Sequence, residues 1–311
     1  MKKTIILLIF LIVNAIFGKN KIPANQNISS NKVLTSIQSV YSIASYISRN
    51  TDIEIYSIFG SDVSMDYGKS AFDNKELDMS VAKKAVAVID VAKVWENDYL
   101  YEYARRQNIR IIEIDASYSF SGDDYSALSL LTYKNGERNP YVWMSPQNAV
   151  KMAQIIADDL SRLFPKNKET INNNLKKFTQ EIKEIENKYL KETLNVNSLA
   201  VITLTENLDY LFNELNIFTN YIINDEVTAK NIPEIMKKNN SRVFVSDKWL
   251  KKEIISEIEK NGGKFIVLDT FNIPGEVDEK MDSDAYLKGM KKNLEKLAET
   301  LKSVSKNKQQ K

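Results

Sequence analysis

The chain of 311 residues contains no cysteine and no histidine. The first absence excludes disulfides, thiolate chemistry and lipidation of an N-terminal cysteine. The second removes the commonest transition-metal ligand and the commonest general base. Together they rule out a nitrogen- and sulfur-rich zinc site. Gly-x-Ser-x-Gly, P-loop and Gly-x-Gly-x-x-Gly motifs are also missing. Catalysis would need a carboxylate pair, a lysine or a Ser-Lys arrangement. Spacing locates none of these, and the expectation is that the protein is not an enzyme. There is no surplus of charge either. The 43 basic residues include Lys2 and Lys3, and without those two, 41 face 41 acids. Charges of both signs are mixed along the chain, which argues against a nucleic-acid or anionic-membrane partner.

No apolar run is long enough to span a membrane. The nearest, Ile5 to Val13, follows the basic pair Lys2 and Lys3 and precedes Val13-Asn14-Ala15. Residues 1–18 therefore read as a cleavable signal peptide, with an uncleaved anchor as the alternative. Residues 19–31 are polar and aperiodic and read as a flexible lead-in.

From there the chain alternates strand and helix. Expected strands are Lys32 to Ile37, Ile53 to Ile58, Ala85 to Ile89 and Ile109 to Ile114. Expected helices are Gln38 to Arg49, Asn74 to Lys83 and Glu96 to Gln107. A glycine-bearing loop covers Gly60 to Gly68. Asp115-Ala116-Ser117 closes the fourth strand at its carboxyl end, where open α/β sheets place ligand contacts. Residues 117–138 look irregular, with Ser121-Gly122-Asp123-Asp124 as a turn.

The stretch Asn139-Pro140-Tyr141-Val142-Trp143-Met144-Ser145-Pro146 follows. Each proline fixes its own φ and pushes the residue before it out of the α region. Ser145 is placed as an N-cap and Pro146 as the first residue of a helix. Gln147 to Leu163 keeps a helical apolar face, and Pro165 ends it. Lys168 to Leu194 continues as a longer helix of roughly 40 Å, suited to joining two lobes.

A second set of strands covers Leu199 to Thr203, Phe218 to Ile223, Arg242 to Val245 and Lys264 to Leu268. Helices at Asn207 to Leu215, Ala229 to Lys238 and Lys251 to Lys260 separate them. A closing helix runs from about Asp284 to Ser303. The fold class expected is α/β: two lobes with parallel sheets, joined by one long helix, with a ligand cleft between them. The lobes are placed at 32–165 and 196–305, with the joining helix at 166–195.

Four stretches give this pattern a family likeness. Gly60-Ser61-Asp62 is similar to Gly-[Ala/Ser]-Asp-Pro-His-x-Tyr. Asn139 to Pro146 is similar to Asp-Pro-His-x-Trp-[Leu/Met]-[Ser/Asp]-Pro. Thr205 to Tyr210 corresponds to a His-or-Glu site followed by a Tyr. Val267-Leu268-Asp269, with Asp284-Ala285-Tyr286-Leu287 and a terminal helix after it, resembles the segment that supplies a last ligand. The chain thus resembles, over about residues 32–303, the zinc/manganese substrate-binding proteins of bacterial ABC transporters. That family includes adhesin-type metal-binding lipoproteins.

The resemblance implies one divalent ion held between two lobes and delivered to an ABC permease in the inner membrane. The family's histidine positions fall on Ser64, on Tyr141, and on Thr205 or Glu206. Asp269 is the one family ligand retained. The implied cleft is lined by Ser64, Asp66, Tyr141, Thr205, Glu206 and Asp269, with Glu206 and Asp269 as the metal ligands. Asp62, Asp66, Glu206, Asp209 and Asp269 offer oxygen only, which favours Mn²⁺, Ca²⁺ or Mg²⁺ over zinc. Trp143 reads as a packing aromatic, and Asp269 either as a direct ligand contact or as a brace between lobes. The function implied is an extracytoplasmic solute-binding protein, periplasmic or secreted, and monomeric. The alternative is a degenerate member acting as an adhesin or assembly protein, or one that binds a small organic ligand.

Overall fold

The computed structural model describes residues 31–60, 64–119, 127–272, 276–277 and 280–309. The signal-peptide reading of 1–18, the lead-in up to residue 30, Asp62 and the turn at 121–124 lie outside those residues.

Two four-stranded sheets form the frame, and every strand pair within them is parallel. The first contains β1 (Lys32–Thr35), β2 (Glu54–Ser57), β3 (Ala87–Asp90) and β4 (Ile112–Asp115) in the order β2-β1-β3-β4. The second contains β5 (Ala200–Thr203), β6 (Phe218–Tyr221), β7 (Val243–Ser246) and β8 (Lys264–Val267) in the order β6-β5-β7-β8. The same order recurs, so in each sheet the chain reverses its direction of travel between the first and third strands. Such a switch point opens a crevice at the strands' carboxyl ends. Inner strands β3 and β7 are buried on both faces, whereas edge strand β2 alternates exposed and half-buried residues, as the sequence patterns require. A short antiparallel pair, β9 (Glu276–Val277) with β10 (Lys280–Met281), stands apart.

The nine helices among the described residues are α1 (Gln38–Ile47), α2 (Met65–Asp73), α3 (Leu100–Gln107), α4 (Pro146–Leu163), α5 (Lys168–Thr193), α6 (Asp209–Glu214), α7 (Ile232–Lys238), α8 (Lys252–Lys260) and α9 (Ala285–Gln309). Ser145 caps α4 as the sequence indicates: its Oγ accepts from Asn148 N at 3.1 Å, and Pro146 opens the first turn. Helix α5 buries Ile171, Phe178, Ile182 and Tyr189 at helical spacing and packs against both α4 and α9.

Three helices depart from expectation. A helix was expected at Asn74 to Lys83 after a loop through Gly68. The structure instead places α2 at Met65–Asp73, followed by a 3₁₀ turn at Met79–Lys84. Gly68 marks close packing rather than a loop: a Cβ there would come within 3.3 Å of the Phe59 ring. Lys75, at φ 58°, closes that helix, with Glu76 N donating to Ala71 O at 3.1 Å. Helix α3 starts at Leu100 rather than Glu96, because Asp98 holds the preceding turn by accepting from Val91 N (3.1 Å) and Leu100 N (3.4 Å). Helix α7 starts at Ile232, with Pro233 in its first turn, the position a proline tolerates best.

The last helix packs on β7 and β8 of the second sheet and also reaches the first lobe. Just before and within α9, Asp282 O accepts from Gln38 Nε2 at 3.0 Å, Ser283 O accepts from Ser42 Oγ at 2.9 Å, and Tyr286 N donates to Ser42 Oγ at 3.0 Å. The C-terminal helix is thereby fastened to α1 of the first lobe. One continuous apolar core contains Val33, Trp143, Phe178, Val201, Val245 and Tyr286, residues from both sheets and the helices between them.

Candidate functional site

The segment after β8 sets the geometry. Asp269 Oδ1 accepts from Phe271 N at 2.7 Å, an Asx turn. Asn293 of α9 grips the same residue's backbone, accepting from Asp269 N at 2.9 Å and donating to Asp269 O at 2.7 Å. Phe271 then takes a left-handed φ of 57°. Its ring lies against Tyr286, with centroids 5.1 Å apart, and over Gly289, where a Cβ would sit 2.3 Å from Phe271 Cε1. This tight turn directs Asn272 into the junction between lobes.

Asn272 meets three residues that the sequence singled out. Its Oδ1 accepts from Ser64 Oγ at 2.6 Å and from Met65 N at 2.9 Å. Its Nδ2 donates to Asp66 Oδ2 at 2.9 Å and to the Tyr141 hydroxyl at 3.1 Å. The amide orientation is consistent: the oxygen faces two donors and the nitrogen faces a carboxylate and a phenol. Ser64, Asp66 and Tyr141 are therefore brought together around one carboxamide from the other lobe. Ser64 also caps α2, its Oγ accepting from Asp66 N at 3.2 Å.

Thr205 and Glu206 form a second group. Thr205 is buried; its Oγ1 accepts from Asn207 N at 3.2 Å, and its carbonyl accepts from Thr203 Oγ1 at 2.7 Å. Glu206 Oε1 accepts from Lys134 N at 2.8 Å, and its carbonyl accepts from Asn139 Nδ2 at 2.8 Å. The turn that presents Lys134 needs Gly136 at φ 88°. A relay follows: Tyr133 Oη donates to Asn207 Oδ1 at 2.9 Å, and Asn207 Nδ2 donates to Asp247 Oδ2 at 2.8 Å.

Charge links the two groups. The Tyr141 phenol is pushed far above its ordinary range, first by burial and then by its acidic neighbours, Asp66 foremost. Tyr133 is raised in the same way, by burial and then by Asp66, Glu206 and Asp247. Neither phenol ionises at physiological pH, so each offers a neutral hydroxyl and no phenolate. Asp209 is pushed up to about 6 by burial and by Glu206. Asp269 is raised by burial, against the opposing pull of Phe271 N–H and Lys292. Among the described residues, no three acids stand close enough to hold an ion as a group. Asp269 and Glu206 each commit one oxygen to a backbone N–H and share no hydrogen-bond partner.

Four residues of this junction escape a reading of sequence alone: Asn272, Asp247, Tyr133 and Asn207. Asp247 carries a usable signal, since it directly follows a strand at the carboxyl end of its sheet. Asn272 carries none, because its placement depends on the left-handed Phe271 and the glycine behind it. Replacing Asn272 by Ala would strand the buried Tyr141 hydroxyl and undo the link to Ser64 and Asp66. We expect a loss of about 1–2 kcal/mol in urea unfolding; an unchanged midpoint would show that the junction is held elsewhere.

Two parallel α/β sheets, with polar side chains converging from strand ends and the loops between them, define a two-lobed α/β fold. The chain belongs to the family described as zinc-uptake complex component A, periplasmic (ZnuA), which it matches over residues 33–300. It is 27% identical to the metal ABC transporter substrate-binding lipoprotein ScbA of Streptococcus cristatus over 178 residues, 54% of this chain and 57% of that protein. It is 24% identical to the zinc-binding lipoprotein AdcA of Streptococcus pneumoniae over 172 residues, 53% of this chain and 34% of that protein. The matches thus span between about a third and just over half of these relatives' own lengths. In three dimensions the chain is similar to a periplasmic metal-binding protein from Candidatus Liberibacter asiaticus. The TM-score is 0.67 at 17% identity, covering 87% of this chain and 99% of that one, a likeness of fold.

Proposed function

We propose that the protein is the solute-binding component of a divalent-metal ABC importer, working outside the cytoplasm with an oxygen-only site. The observation that carries this reading is the convergence of Ser64, Asp66 and Tyr141 on Asn272 across the junction of a family fold. With no histidine or cysteine anywhere in the chain, the donors available there are carboxylate, carboxamide and hydroxyl oxygens. Such a set suits a hard cation, Mn²⁺ or Ca²⁺ or Mg²⁺, and disfavours zinc. Asp66 and Asp247 are the carboxylates this proposal adds to Glu206 and Asp269; since no three acids stand together among the described residues, at most two of the four share the ion, and hydroxyl and carboxamide oxygens complete the set. Thr205 shapes the loop that carries Glu206. The partner on this reading is a membrane permease, and the protein acts as a monomer.

The test is a thermal-shift series with Mn²⁺, Ca²⁺, Mg²⁺ and Zn²⁺, on the wild type and on Asp66→Asn and Asp247→Asn. A ligand that binds the folded state raises the midpoint by mass action, by the equivalent of about 2.7 kcal/mol at a hundredfold excess over Kd. We expect a rise with Mn²⁺ that exceeds the rise with Zn²⁺ and shrinks in both variants. No response to any ion would identify a descendant that has lost metal binding.

A further inference from the structure

The carboxyl end of the first sheet hides three carboxylates. Asp90 and Asp115 are fully buried, and Asp98 is 5% exposed. Asp90 ends β3 and Asp115 ends β4, and they are direct register partners on adjacent parallel strands. Neighbouring strands lie about 4.8 Å apart, so the two side chains stand next to each other on one face of the sheet. Asp98 reaches the same place from the turn before α3.

Their hydrogen bonding is unequal. Asp115 is well supplied: Lys93 N donates to its Oδ2 at 2.7 Å, and Ser117 N and Oγ donate to its Oδ1 at 2.8 and 2.5 Å. Asp98 accepts from Ser36 Oγ at 2.8 Å and from the N–H groups of Val91 and Leu100. Asp90 has no hydrogen-bond partner on either oxygen. Ala92 N–H lies near enough to favour its charged form slightly without bonding to it. A buried, unpaired carboxylate beside two other acids pays the full cost of desolvation and of like-charge repulsion.

We propose that Asp90 holds a proton in the folded protein at neutral pH, making this trio a built-in pH-sensitive element of the first lobe. Burial acts first on Asp90, then the charges of Asp98, Asp115 and Glu113, and all of them raise it well above the usual carboxylate range. Asp98 is pushed up to about 6, mainly by burial, while its donors pull the other way. Asp115 and Glu113 are raised too, with Lys93 opposing in both cases and Arg105 opposing at Glu113. None of the largest influences on Asp90 is a cation.

The sign follows from proton linkage. The unfolded carboxyl titrates near pH 4. Between that pH and the raised folded value, the folded state binds the extra proton. Stability is fully present below the unfolded value and is lost as pH rises toward the folded one. The unfolding equilibrium constant therefore grows about tenfold per pH unit for one such proton. Asp98 adds the same trend only up to about pH 6, so between pH 6.5 and 8.5 the comparison with Asp90→Asn separates Asp90 from the other raised acids.

Asp90→Asn is nearly isosteric and cannot ionise. We expect its thermal midpoint to exceed that of wild type at pH 8, and the advantage to vanish by pH 4.5. Asp115→Asn and Asp98→Asn should instead lose stability at every pH, because an amide would face N–H donors. A wild type whose advantage or deficit against Asp90→Asn is the same at both pH values would overturn the proposal. The second measurement needs no variant: the count of protons released on urea unfolding of the wild type at pH 7. About one proton is expected, and a count of zero overturns the proposal.

Discussion

Trp143→Ala should lower the thermal midpoint by on the order of 10 °C, equivalent to about 3–5 kcal/mol. The indole is fully buried, at 0% exposure, and its Nε1 donates to Thr270 O at 2.9 Å. Its own carbonyl accepts from the Tyr286 hydroxyl at 2.7 Å. The residue therefore ties the loop after Asn139 to the β8 segment on one side and to the terminal helix on the other. Trp143→Phe separates packing from polarity. It keeps most of the aromatic bulk but leaves the Thr270 carbonyl without its donor, and should cost about half as much. If Phe proved as damaging as Ala, the hydrogen bond rather than the packing would be the anchor. Either variant should also weaken the response to Mn²⁺, since Thr270 stands two residues before Asn272.

Gly289→Ala should destabilise the protein by about 1–3 kcal/mol, although alanine is the better helix former by about 1 kcal/mol. The added methyl would fall 2.3 Å from Phe271 Cε1 and 3.1 Å from its Cζ. Phe271 has little room to yield, being left-handed in backbone and packed on Tyr286. A double-mutant cycle gives the sharper reading. In a Phe271→Ala background the methyl meets no ring, so the same Gly289 substitution should become neutral or mildly stabilising. A loss that persists in that background would place the strain somewhere other than the ring.

How much of this was legible beforehand differs between frame and site. The α/β alternation, the Ser145–Pro146 helix start and the long helix through Phe178 follow from local pattern and proline chemistry, and the structure bears them out. The second helix was misplaced because Gly68 and Ser64 look like loop formers. One is a contact point for the Phe59 ring, and the other is an N-cap. The α/β alternation also could not give the strand order β2-β1-β3-β4, since neighbours in a parallel sheet need not be neighbours in sequence. At the junction, Ser64 and Tyr141 were singled out through family likeness and Asp66 as a nearby carboxylate, and the structure brings all three to Asn272. Asn272 was not found, because it owes its position to residues far away, Gly289 behind Phe271; Asp247 stands directly after a strand's carboxyl end, a signal the sequence carries but that was not read. Asp90 was invisible for a related reason. An acid at a strand's end ordinarily reads as solvated, and only register with Asp115 shows it to be enclosed.

The fastening of the C-terminal helix to α1 also bears on the order of assembly. Gln38 waits for a carbonyl 244 positions later in the chain, and Ser42 for one 241 positions later. A chain that lengthens from its N-terminus can form the first sheet early, since Lys32 to Asp115 supply all its strands. It cannot finish covering α1, against which α4 and α5 also pack, until the last helix has been made. During synthesis and any passage through a membrane, that face of the first lobe stays open to water and to chaperones. Long-range closure of this kind slows folding. A chain stopped short of Ala285 would be held in that unfinished state, keeping its early sheet while the face of α1 remained uncovered.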